Sequence, residues 1–151
     1  MGAKGQTMPR RSWKGLPMTY ALAYGAALVI FVVVDSLWLG TMAPRLYRPI
    51  LGDILLPGFN LAPAVVFYLL YPIGLVFFAI NPALKGGGLS TALICGALFG
   101  FFTYATYDLT NQATLRNWST VLTVADITWG SFLGAVTASG AWWITQRCAA
   151  L

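Results

Sequence analysis

The chain has 151 residues, with nine Lys and Arg, four Asp and Glu and no His, for a formal net charge of +5. Its 58% apolar and 9% charged content lies far from the roughly 25% charged residues of soluble domains and reads as a membrane chain. The absence of His excludes histidine-ligated haem and (bacterio)chlorophyll, His-containing zinc sites and every Ser-His or Cys-His nucleophile pair.

A bilayer core of about 30 Å calls for roughly 20 apolar residues of helix. Four runs meet that length, at about 18–42, 61–80, 89–107 and 118–145. The expected fold is all-α, a polytopic four-helix membrane bundle. A basic tail (1–17) precedes the membrane domain (18–147), and a short tail (148–151) follows it. The connections are too short for a soluble domain. Pro44, Pro49, Pro57 and Gly58 punctuate the first connection, Asn81 and Pro82 end the second run, and Gly86, Gly87 and Gly88 lead into the third. Pro63 suits a first helical turn. Pro72 lies inside the second run, predicts a kink there, and leaves the Tyr68 carbonyl in need of a donor.

Lys4, Arg10, Arg11, Lys14, Lys85 and Arg147 fall at one set of helix ends, against Arg45, Arg48 and Arg116 at the other. The positive-inside rule then puts both termini in the cytoplasm. The basic start followed by an apolar run invites a signal-peptide reading, which the length of the run, Asp35 and Pro44 argue against. The tail is more simply an orientation signal lying on anionic headgroups than a nucleic-acid arm. Cys95 and Cys148 fall toward the reducing side, where a structural disulfide is not expected.

With this topology Asp35 and Asp126 share a depth of roughly 10–12 Å below the outer surface. An aspartate in the membrane costs on the order of 2.5–3.5 kcal/mol and must turn inward toward partners. Trp38 stands three residues after Asp35 and Trp129 three after Asp126, which offers each acid an indole N–H on its own helix. Tyr68, Tyr71, Tyr104 and Tyr107 add hydroxyls, Asp108 is read as capping the third helix, and Asn111 hangs in the loop beyond. If the two acids meet, the pair can hold a single shared proton. Packing by polar side chains is an equally weighted reading of the same residues. A divalent-cation site built from Asp35, Asp108, Asp126 and Asn111 fits hard-oxygen chemistry but lacks a defined spacing, and neither a metal nor a cofactor is expected. Arg45, Arg48 and Arg116 are candidates for holding an anionic head group. Gly96-xxx-Gly100 and Gly130-xxx-Gly134 permit close helix approach, either between the third and fourth helices or to a second subunit. Trp118, Trp142 and Trp143 read as an interfacial belt.

Asp35-xx-Trp38-Leu39-Gly40, the stretch from Gly96 to Gly100 leading into Tyr104-Ala105-Thr106-Tyr107-Asp108-Leu109-Thr110-Asn111, and Asp126-xx-Trp129-Gly130 resemble the bacterial membrane-protein family called domain of unknown function 2177. The resemblance runs from about Met18 to Gln146. It implies a four-helix inner-membrane protein and leaves the activity blank. The leading functional expectation is a site that binds or passes an amphiphilic small molecule, lipid, pigment or proton. The alternative is a non-catalytic accessory subunit stabilising a larger bacterial membrane complex, and an acid–base enzyme without His ranks third.

Overall fold

The inner faces of these helices combine small residues with a few large ones and the acids, while the outer faces carry large apolar side chains. In the computed structural model, which describes residues 16–148, the first helix, α1 (Leu16–Met42), buries Ala23, Ala27, Phe31 and Asp35. That spacing of four keeps one face inward, while Val29, Val33 and Leu37 stand exposed on the other. The N-terminal basic cluster from Lys4 to Lys14 lies outside the described residues.

The chain does not leave the helix at Met42. It continues through a π-turn (Ala43–Tyr47), a short helix α2 (Arg48–Leu51) and a 3₁₀ turn (Gly52–Ile54). Pro44 and Pro49, expected to break the connection, instead sit second in each of the two new turns, where the first turn of a helix tolerates the ring. Helix α3 (Leu61–Leu75) passes through Pro72 into a second π-turn (Val76–Ile80). Beside the proline, Tyr24 donates its hydroxyl to the Leu69 carbonyl at 3.2 Å, one residue beyond the Tyr68 carbonyl expected to need a donor.

A third π-turn (Ala83–Gly87) leads into α4 (Gly88–Thr114), which is followed by α5 (Thr120–Cys148). Three continuous helical stretches among the described residues are long and apolar enough to cross a membrane: Pro17–Ile54, Leu61–Thr114 and Thr120–Cys148. The middle stretch has 54 residues. Laid straight it would measure roughly 80 Å at about 1.5 Å per residue. It reverses instead at Gly86 (φ 123°) and Gly88 (φ 69°), backbone angles that only glycine adopts without strain. Across the reversal Phe78 stacks on Phe99 at 5.7 Å and Tyr71 reaches Thr103, which makes the two arms antiparallel.

Helix α4 runs seven residues beyond the expected end at Tyr107. Along its polar tail Thr106, Thr110 and Thr114 each return their hydroxyl to the carbonyl four residues back, which satisfies the side chain inside the helix. Helices α4 and α5 meet at bare backbone. A Cβ on Gly96 would lie 2.4 Å from the Gly134 carbonyl oxygen, and one on Gly100 would lie 1.9 Å from that of Gly130. The two glycine pairs therefore face each other within the chain, and all four residues are buried. They are not available as the contact to a second subunit that the sequence leaves open.

The same antiparallel register sorts the charges. Tyr20 donates to Asn81, so the start of α1 lies beside the 81–88 turn, and Gly140 packs on Ile30, which carries the end of α5 toward that side. Lys85 and Arg147 thus share one end of the bundle, with Arg45, Arg48 and Arg116 at the other.

Candidate functional site

Asp35 extends the inward stripe of α1 and is 4% exposed; Asp126 lies on the buried face of α5 and is 6% exposed. The sequence spacing offers each acid the indole three residues along its own helix. The structure exchanges the partners. Trp129 on α5 donates Nε1–H to Asp35 Oδ1 at 3.1 Å, and Tyr68 on α3 donates to Asp35 Oδ2 at 2.7 Å. Trp38 on α1 donates to the Tyr47 hydroxyl at 3.0 Å, and Tyr47 in turn donates to Asp126 Oδ1.

The exchange follows from helix direction. On antiparallel helices a Trp three residues after each acid lies above one carboxylate and below the other, so each indole reaches across rather than along. The two indoles then lie face to face, 4.2 Å apart at 7°. The carboxylates are consequently joined through Trp and Tyr rather than to each other, and the expected single proton shared by Asp35 and Asp126 has no direct bond to occupy.

Tyr47 is the residue of this cluster that sequence reading misses, because 43–60 has the composition of a loop. Its signal is the spacing to Asp35. Twelve residues of regular α-helix would turn it about 120° away. The π-turn absorbs one residue, which brings Tyr47 back toward the face of Asp35.

Asp35, Trp38, Tyr47, Tyr68, Tyr104 and Trp129, together with the apolar Leu39, Ala64 and Phe67, wall a cavity of about 280 Å³. Tyr104 is placed there because Gly130 has no side chain: a Cβ on Gly130 would strike the Tyr104 ring at 2.3 Å. The Tyr104 hydroxyl has no hydrogen-bond partner among the described residues. On the other side of the stacked indoles, Trp38 and Trp129 also line an open apolar groove of about 720 Å³, bordered by Val121, Val124, Thr128 and Phe132 of α5.

The remaining candidates are placed elsewhere. Tyr71 is buried and stacked on Phe31 at 4.5 Å. Its hydroxyl lies 3.3 Å from Thr103 Oγ1, whose own hydrogen goes to backbone carbonyls, so Tyr71 is the donor. Tyr107 is 61% exposed and packs edge-on against Trp118. Asn111 accepts the helix-ending N–H of Leu115 through its backbone carbonyl, at 2.8 Å. Arg45, Arg48 and Arg116 are exposed at the bundle end and line none of the cavities described above.

Asp108 is corrected most. It does not cap a helix end; it continues the buried stripe of Ala92, Gly96 and Gly100, is wholly inaccessible, and neither carboxyl oxygen has a partner among the described residues. Among those residues no three of His, Cys, Asp or Glu gather as a metal ion would require, and Cys95 and Cys148 are free.

An all-helical chain with multiple apolar helices, acids turned inward and large apolar side chains turned outward is an integral, multi-pass membrane protein. It belongs to the family described as predicted membrane protein (DUF2177), which matches residues 20–143. No curated protein and no solved structure gives a match.

Proposed function

We propose that this protein binds an amphiphilic small molecule within the membrane, with the polar head in the Asp35 cavity and the hydrocarbon tail in the neighbouring groove. The observation that carries this reading is the shared wall. Trp38 and Trp129 belong both to the cavity of about 280 Å³ that Asp35 lines and to an apolar groove of about 720 Å³. Binding sites of this kind are concave and mostly apolar, with a few polar groups that fix orientation. Purification in a mild neutral detergent followed by native mass spectrometry tests it. The expected result is a co-purifying small molecule in the parent protein that is lost from Asp35→Asn while the variant stays monodisperse. A parent protein that carries no small molecule, and takes up none from added lipid extract, refutes the reading.

The same proposal includes four membrane crossings, because the reversal at Gly86 and Gly88 divides the 54-residue stretch into two arms. It also places both termini in the cytoplasm of a bacterial inner membrane, on the balance of Lys and Arg. Cys148 is exposed at the end of α5. In spheroplasts a membrane-impermeant maleimide is expected to label it only after permeabilisation; labelling beforehand overturns the orientation.

A further inference from the structure

We propose that the head group held at Asp35 is an organic cation, a primary or quaternary ammonium, rather than an anionic or neutral head. The proposal rests on the reading of the cavity as an amphiphile site and adds the chemical class of the ligand.

Three observations point the same way. First, Asp35 receives only neutral donors. Its two oxygens accept from the Tyr68 hydroxyl and the Trp129 indole, and a carboxylate offers about four acceptor positions in all. Further acceptor capacity remains, and no Lys or Arg is among the residues lining the cavity. A primary ammonium can donate to that capacity, a quaternary one, with no N–H, meets the carboxylate by charge alone, and either supplies the missing charge. An anion would meet Asp35 with no compensating group, since Arg45 and Arg48 take no part in the lining.

Second, the rest of the wall is mostly aromatic, with Leu39 and Ala64 as the exceptions. Trp38, Tyr47, Tyr68, Tyr104 and Trp129 line the space together with Asp35. Aromatic faces carry negative potential and attract cations, tryptophan most strongly, and such walls are the usual means of holding quaternary ammonium groups. The Tyr104 oxygen, without a partner among the described residues, adds a further acceptor. Third, the size fits. About 280 Å³ is room for roughly nine groups of water size at ~30 Å³ each, enough for a trimethylammonium head and the first few methylenes. The remainder of the chain then has the apolar groove beyond the indoles.

The test is equilibrium dialysis of the full-length protein in maltoside micelles against labelled octyltrimethylammonium and octyl sulfate, each below its micellar concentration, and octanol below its solubility limit. Saturable binding of octyltrimethylammonium, at least about tenfold tighter than the other two probes, is expected. Asp35→Asn should weaken it about tenfold or more. Ala64→Leu fills the same cavity from α3 without touching an acid, should also weaken it, and keeps the test open if Asp35→Asn does not fold. Equal binding of octyl sulfate or octanol, lost in the same variants, overturns the cationic class and leaves the amphiphile site standing. Saturable binding of none of the three overturns both.

Discussion

Gly100→Ala is the most direct probe of how the bundle sets the site. The added methyl carbon falls 1.9 Å from the Gly130 carbonyl oxygen and 2.5 Å from its carbon. Ordinary contact begins at 3.4 Å, so the two backbones must part by about 1.5 Å. Neither clashing atom is the end of a flexible side chain. Overpacking of this kind costs about 1–3 kcal/mol, and a chain of this size loses roughly 2–4 °C of midpoint per kcal/mol. Gly130 adjoins Trp129, whose bond to Asp35 is already 3.1 Å long, so the same displacement disturbs the site. Gly25→Ala and Gly40→Ala supply the control. Nothing lies within 4 Å of the place either new methyl would take, and Ala exceeds Gly in helix propensity by up to about 1 kcal/mol. In detergent, followed by tryptophan fluorescence, the two controls should match or exceed the parent midpoint, and Gly100→Ala should fall by several degrees. A Gly100→Ala midpoint at or above that of the parent refutes the close approach of α4 and α5.

Other substitutions separate the parts of the network. Tyr68→Phe and Trp129→Phe each remove one donor to a buried carboxylate, at about 1.5–3 kcal/mol. A double-mutant cycle between Asp35→Asn and Tyr68→Phe, followed by thermal unfolding, should give coupling well above the few tenths of a kcal/mol seen between independent sites; strict additivity contradicts the bond. Tyr47→Phe removes the hydroxyl that links Trp38 to Asp126 and should change the indole emission as well as lower the midpoint, whereas Tyr107→Phe, at an exposed ring, should alter neither. Asp108→Leu replaces a buried carboxyl without partners by an apolar group, an exchange that is often neutral or stabilising. A lower midpoint for Asp108→Leu would show that the carboxyl has a bonding partner.

The membrane class was legible because apolar runs of bilayer length leave few alternatives, and family membership because stretches such as Tyr107-Asp108-Leu109-Thr110-Asn111 are specific. Most of the inward-facing acid cluster was legible too, since a charge within an apolar run must find a partner inside the protein. Tyr47 was not, because its connection carries Arg and Pro and reads as a loop, yet both prolines fall where a helical turn tolerates them. The burial of Asp108 within the helix escapes sequence reading for the opposite reason: Thr110, Asn111 and Gln112 look like loop composition, while the threonine hydroxyls bond back along the helix.

The linear chain by itself determined that helices lie in lipid and that Asp35, Asp126 and their tryptophans turn inward. It also determined that Gly96, Gly100, Gly130 and Gly134 mark a close approach. Lipid and core are both apolar, so hydropathy carries no information on which partner each inward group meets. That was decided only by the antiparallel register set where glycine meets glycine. It slides Trp129 under Asp35 and Trp38 over Tyr47, and one extra residue in a π-turn swings Tyr47 onto Asp126.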